Sequence, residues 1–101
     1  MDLSKDQVGA IVSWARRTSE IRAAILFGSR AKGTSGPESD VDLALVIDDL
    51  NPLAVFVMKG ELWQNDLRQM TGLPVNIEFL GPESTKIRSY LEECSIELFR
   101  R

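Results

Sequence analysis

Two apolar segments joined by a short connection limit the possible folds of this chain more than any other feature. Residues 21–27 and 41–47 are predicted to form buried β-strands, because each is apolar at all but one position. Between them, residues 33–39 are rich in Gly, Ser and Pro and predict an irregular loop. The connection is too short for the ordinary helical crossover between parallel strands. We therefore expect the sheet to be mixed.

The remaining segments predict helices that alternate with strands. Ser4 and Gln7 match a helix capping box, and apolar residues follow at helical spacing. The predicted helices cover residues 5–18, 52–71 and 83–94, and the predicted strands cover residues 21–27, 41–47, 75–79 and 96–99. This order is typical of an α/β fold, here a small mixed β-sheet with flanking helices.

Length and composition fit one small domain. With 101 residues, of which 44% are apolar, the chain can bury a single core, so we expect residues 1–101 to form one domain. No apolar run approaches the roughly 20 residues that span a bilayer, and the first residues lack the pattern of a signal peptide. We therefore expect a cytoplasmic location and no membrane partner.

The residue types present exclude several kinds of chemistry. The chain has no His and only one cysteine, Cys94, so it forms no internal disulfide and a zinc site is not expected. Without His, Ser-His-Asp and Cys-His catalysis are also excluded. The net charge of -3 provides no broad positive surface for a duplex nucleic acid.

The turn after the first strand has the residues of a phosphate-binding site. Gly28 permits a tight turn or a close backbone approach to a ligand. Ser29 is predicted to open a short helix, whose free amides and positive dipole end attract an anion. The Ser29 hydroxyl and the cations of Arg30 and Lys32 add further phosphate contacts. Alone, such a turn more often only connects two elements.

Two aspartates at the second strand suit a divalent metal. Asp40 and Asp42 are two residues apart, so their side chains leave the same strand face with Cα atoms roughly 6.6 Å apart. Carboxylates at this spacing can converge on a hard cation such as Mg²⁺. An exposed strand edge can carry the same pattern, but the preceding Gly-Ser turn favours the metal site.

Together, the Gly-Ser turn, the short basic helix and the Ser-Asp-x-Asp-Leu segment resemble the signature of the minimal nucleotidyltransferases of the DNA polymerase β-like superfamily. The matching residues are Gly28, Ser29, Arg30, Ala31, Lys32, Gly33, Ser39, Asp40, Val41, Asp42 and Leu43. The resemblance covers essentially the whole chain and implies the nucleotidyltransferase fold. It also implies that Ser29 helps to bind a nucleoside triphosphate, and that Asp40 and Asp42 hold magnesium.

The resemblance further implies a partner and raises a question about the third acid. Small members of this family are commonly paired with a helical toxin protein and act as its antitoxin, in some cases by transferring AMP to it.

The third carboxylate of the family falls on Asn76, which is neutral and cannot act as a base. Glu78 lies on the same strand face and is our candidate for the missing charge, although it can also be an ordinary polar-face residue.

Two functions therefore remain open. The first is a magnesium-dependent transferase that uses ATP, with Asp40, Asp42 and Glu78 as catalytic residues. The second is a catalytically degenerate domain that keeps the fold and neutralises a partner by contact alone. A third, an unrelated regulatory α/β domain, is disfavoured because the motif occurs in the expected strand and helix context.

Residues 53–58 are apolar at six successive positions and so surround the middle helix on every side. We expect some of this run to be exposed, as a contact surface for a second copy or a partner, unless the sheet and a neighbouring helix bury both sides. The residues concerned are Phe56, Val57 and Met58. Those predicted to continue the core are Trp63, Leu67 and Met70. Trp14 lies off the main apolar stripe of the first helix, where a surface contact is possible.

Overall fold

A computed structural model describes all residues from 1 to 101 and contains four helices and four strands. In chain order they are α1 (Lys5–Arg17), β1 (Ile21–Phe27), α2 (Ser29–Lys32), β2 (Val41–Ile47), α3 (Pro52–Thr71), β3 (Val75–Phe79), α4 (Thr85–Glu93) and β4 (Ser95–Arg100). The predicted α/β class is confirmed. The predicted bounds agree closely except at the end of the chain, where α4 is shorter and β4 longer than expected. No helix combines the length and apolar content needed to cross a bilayer.

The four strands form one sheet in the order β3-β2-β1-β4. The short connection makes β1 and β2 antiparallel, whereas β2 and β3 are parallel because α3 provides the crossover between them. The pairing of β1 with β4 is also antiparallel. The sheet is therefore mixed, as predicted.

The main core lies between one face of the sheet and the helices α1 and α3. Trp14 of α1 and Trp63 of α3 meet edge to face, with ring centroids 6.0 Å apart. The surface contact that the sequence left possible for Trp14 is absent, since α3 covers that side of α1 and leaves only 3% of the residue exposed. Trp63 and Leu67 are buried as predicted, but Met70 is exposed near the end of α3.

The opposite face of the sheet carries a much smaller apolar cluster. Phe27, Ala44 and Leu80 form this cluster, and Ile87 and Leu91 of α4 pack against it. Because α4 has only nine residues, it covers part of this face and leaves the rest open. The functional side chains predicted on β2 and β3 lie on this face.

Side chains of α3 block the outer edge of β3. The amide of Ile77 donates to the side-chain oxygen of Gln64 at 3.0 Å, and Arg68 donates to the carbonyl of Val75 at 3.1 Å. Edge strands with free backbone groups pair readily with other chains. These two hydrogen bonds therefore protect β3, the edge strand that carries Asn76 and Glu78, from pairing with another chain.

The outward side of α3 carries the exposed apolar surface that the sequence predicted. The exposed fractions are 55% for Leu53, 75% for Val57, 80% for Met58 and 61% for Leu62. Phe56 is half-buried against the core. The alternative, in which the sheet and a neighbouring helix bury both sides, is wrong for Leu53, Val57 and Met58. We call these three residues, together with Leu62 beyond the predicted run, the α3 apolar surface.

Arg30 of α2 fastens the loop that leads into β2. Its buried guanidinium donates to the carbonyl oxygens of Asp2 at 2.8 Å, Ser39 at 2.9 Å and Pro37 at 3.2 Å. The Asp2 carboxylate in turn accepts hydrogen bonds from the amide and hydroxyl of Ser35. These bonds do not support the prediction that Arg30 binds phosphate, because the loop uses its donors. Arg30 instead positions the backbone that enters β2.

Replacing Arg30 should therefore destabilise the protein. In Arg30→Met, the partly buried carbonyl oxygens of Asp2, Pro37 and Ser39 lose a charged donor, and we expect the free energy of unfolding to fall by about 3 kcal/mol. Urea denaturation followed by circular dichroism measures this loss. Arg22→Met is the matched control, because Arg22 is exposed and approaches only the exposed Asp48, at 3.9 Å. Equal destabilisation of the two variants would contradict the role given to Arg30.

Candidate active site

The two aspartates predicted to bind metal lie at the start of β2 in the middle of the sheet. Asp42 pairs with Phe27 of β1 on one side and with Asn76 of β3 on the other. Asp40 precedes β2 by one residue and is exposed, whereas Asp42 is half-buried. Their two-residue spacing places both side chains on the sheet face that α4 covers only in part.

Gly28 makes the closest backbone approach to Asp42. Its φ of 77° lies in the left-handed region, which side chains rarely adopt. A Cβ atom at this position would also collide with Oδ2 of Asp42. The sequence therefore needs Gly here for two separate reasons, and the contact fixes the start of α2 beside the carboxylate.

The electrostatic environment of Asp42 opposes its negative charge. Burial raises the pKa of Asp42, and the neighbouring charges of Asp40 and Glu78 raise it further. The amide of Asn76 acts in the opposite direction and lowers this pKa. The site thus concentrates negative charge in a partly buried position, where a bound cation would relieve the repulsion.

Asn76 connects the two strands at the site. Its side-chain nitrogen donates to Oδ2 of Asp40 at 2.8 Å. Glu78 is exposed and lies beside Ala44, two pairs further along the sheet than Asp42 and Asn76. No group of three or more acidic or other metal-ligating side chains comes together in the structure. Glu78 thus influences the charge of Asp42 without joining the aspartate pair as a third ligand.

A cavity of about 240 Å³ adjoins Asp42. Its lining residues are Phe27, Gly28, Lys32, Asp42, Tyr90 and Glu93. A larger groove of about 540 Å³ lies between α1 and α3, on the other side of the sheet, but Asp66 is its only acid. We therefore take the smaller cavity as the candidate site, because it contains both a carboxylate of the pair and a cation.

The structure brings three of the seven residues predicted for the site together in this cavity, whereas Arg30, Asp40 and Glu78 do not line it. Gly28, Lys32 and Asp42 line the cavity, and Ser29 opens α2 directly after Gly28. Tyr90 and Glu93 of α4 were missed by the sequence analysis. Their spacing of three residues places them on one helix face, but only the packing of α4 shows that this face meets the site.

Known proteins share the fold of this chain. The family described as "Polymerase beta, Nucleotidyltransferase" matches residues 10–101. No curated protein matches the chain in sequence. Among solved structures, a toxin-antitoxin complex with AMP-PNP contains a chain that is 22% identical, with a TM-score of 0.73; the match covers 93% of this chain and 73% of that one.

Two further solved structures have the same fold. A mutant of the MntA-HpeT toxin-antitoxin pair is 20% identical, with a TM-score of 0.72, and the match covers 93% of this chain and 73% of that one. The complex of a tri-AMPylated Shewanella oneidensis HEPN toxin with an MNT antitoxin is 18% identical, with a TM-score of 0.66 and coverage of 94% and 71%.

The family match extends over nearly the whole chain, and it includes the Gly-Ser turn and the aspartate pair. The fold is that of the similar solved structures. The chain therefore belongs to the polymerase beta nucleotidyltransferase family.

Proposed function

We propose that this protein is a magnesium-dependent nucleotidyltransferase that transfers AMP from ATP to a protein partner, as the antitoxin of a toxin-antitoxin pair. The observation that carries the proposal is the placement of Asp42 against Gly28, with Asp40 on the same face and Lys32 across the cavity. Family membership supports the reaction class. The similar solved structures, which include AMP-PNP and an AMPylated toxin, support the nucleotide and the partner.

The donor atoms present fit magnesium. Asp40 and Asp42 offer hard carboxylate oxygens, and Asn76 orients Asp40 through its amide nitrogen. Burial and the charge of Asp40 raise the pKa of Asp42, so a bound cation would stabilise its ionised form. When bound, the metal would neutralise and orient the triphosphate. The acceptor oxygen would form a bond to the α-phosphorus as the bond from that phosphorus to the α,β-bridging oxygen breaks, so that AMP is transferred and pyrophosphate leaves.

The protein residues would then hold the substrate in place. Ser29, with its hydroxyl and the amides at the start of α2, would hold the phosphates together with Lys32. The acceptor oxygen would approach from the part of this sheet face that α4 leaves open. Glu78, beside the pair, would activate the acceptor hydroxyl.

A second candidate function rests on Asn76. This residue lies opposite Asp42 in the sheet, and its amide is already bonded to Asp40. If Glu78 does not supply the missing acid, the domain would bind nucleotide and partner without transferring AMP. It would then neutralise a toxin by contact.

The first test concerns the metal and the nucleotide. In calorimetry, we expect ATP to bind the wild type about tenfold or more tightly with Mg²⁺ than with EDTA, since charge-assisted contacts are worth about 1.5–3 kcal/mol. Asp42→Asn should lose this dependence. Asp66→Asn, which changes an acid on the other side of the sheet, should behave like the wild type. Metal-independent ATP binding by the wild type would contradict the proposed metal site.

The second test separates the active enzyme from the degenerate domain. With the protein encoded beside it as acceptor and labelled ATP, Glu78→Gln should abolish AMP transfer and leave MgATP affinity nearly unchanged. Glu83→Gln, an exposed residue beyond β3, is the matched control and should retain activity. Transfer that survives Glu78→Gln would refute the role of Glu78. A wild type that is inactive until Asn76→Asp is introduced would establish the degenerate alternative.

The third test concerns the α3 apolar surface. We propose that it contacts the toxin or a second copy of this chain, because several large apolar side chains are exposed together. Val57→Lys should remove the complex seen by light scattering or co-purification, without a change in thermal stability. Gln69→Lys, also exposed on α3, should leave the complex intact. A wild type that is monomeric and has no partner would contradict this assignment.

A further inference from the structure

Helix α4 is docked beside the phosphate-binding turn by apolar contacts. Ile87 and Leu91 pack against the cluster that contains Phe27, the residue directly before Gly28. The ring of Tyr90 stacks on Phe27, with centroids 6.2 Å apart and an angle of 9° between the planes. These contacts fix which face of α4 is directed toward the candidate nucleotide site.

That face places Glu93 on Lys32. Tyr90 and Glu93 are three residues apart on α4, so both line the cavity together. The carboxylate of Glu93 accepts a hydrogen bond and forms an ion pair with the ammonium group of Lys32. This hydrogen bond raises the pKa of Lys32. Lys32 is the only Lys or Arg that lines the cavity. Because it is ion-paired with Glu93, its positive charge is already neutralised by another residue of the chain.

Resting on the nucleotide site proposed above, we propose that Glu93 is an internal anion that competes with polyphosphate for Lys32. A phosphate that reaches Lys32 must displace the carboxylate or share the cation with it. Displaced Glu93 would remain close to the bound phosphates and repel them. Glu93 therefore lowers the affinity of the site for polyphosphate, so that binding depends more on the other residues of the site than on Lys32.

Glu92, the neighbouring glutamate on α4, is a matched control for Glu93. Glu92 lies on another face of α4, beside Arg88 and Leu91, and does not line the cavity. Glu92→Gln and Glu93→Gln remove the same charge from adjacent positions of one helix. Any effect of net charge or helix propensity should therefore be shared by the two variants, whereas competition for Lys32 belongs to Glu93 alone.

Calorimetry of the full chain with inorganic tripolyphosphate in EDTA tests the proposal. We expect Glu93→Gln to bind about three- to fivefold more tightly than the wild type, the range of a partly exposed ion pair. Glu92→Gln should match the wild type. In a Lys32→Gln background, Glu93→Gln should give a smaller gain, because the cation for which the two anions compete is gone.

The outcomes separate this inference from the proposed function. Equal affinities of Glu93→Gln and Glu92→Gln, an undiminished gain without Lys32, or no measurable binding by any variant would overturn the role of Glu93. MgATP binding that depends on Asp42 would leave the proposed function standing in each of these cases. Conversely, a tripolyphosphate gain in Glu93→Gln, with no MgATP binding in any variant, would support the competition and refute the proposed function.

Discussion

The contact between Gly28 and the carboxylate of Asp42 is the constraint on which the rest of the site depends. It occurs where the end of β1 passes the start of β2, so the antiparallel pairing of these strands brings the turn and the acid together. No side chain fits between them, and the backbone of Gly28 is left-handed. A β-carbon at position 28 would displace Asp42, α2 or both. Asp42 is half-buried at this position, and burial raises its pKa.

The two faces of the sheet serve different purposes. One face is covered by α1 and α3 and holds most of the large buried side chains, including Trp14, Trp63 and Leu67. The other carries the aspartates and only a small apolar cluster. Because stability comes mainly from the first face, the second can tolerate unfavourable charge and open surface. This division allows a chain of 101 residues to maintain both a core and a site.

The sequence predicted those features that depend on local pattern. The strands, the end of α3 at Gly72 and the shared face of Asp40 and Asp42 follow from apolar periodicity, turn residues and strand geometry. What could not be predicted depends on contacts between distant segments. Trp14 is buried because α3 lies over it, and Arg30 is occupied by the loop and the N-terminal residues. Glu93 reaches Lys32 only because α4 packs on the sheet face opposite the main core.

Asparagine at position 76 reduces the repulsion between the acidic side chains of the site in the unliganded protein. Asp40 and Glu78 already raise the pKa of Asp42, and an aspartate at position 76 would add another negative charge opposite Asp42 in the sheet. Asn76 instead donates to Asp40 and lowers the pKa of Asp42. In the absence of a cation, asparagine therefore reduces repulsion that an acid would increase. If the proposed cation binds, asparagine would offer no charged ligand at position 76, so this residue would favour the stability of the unliganded protein over metal affinity.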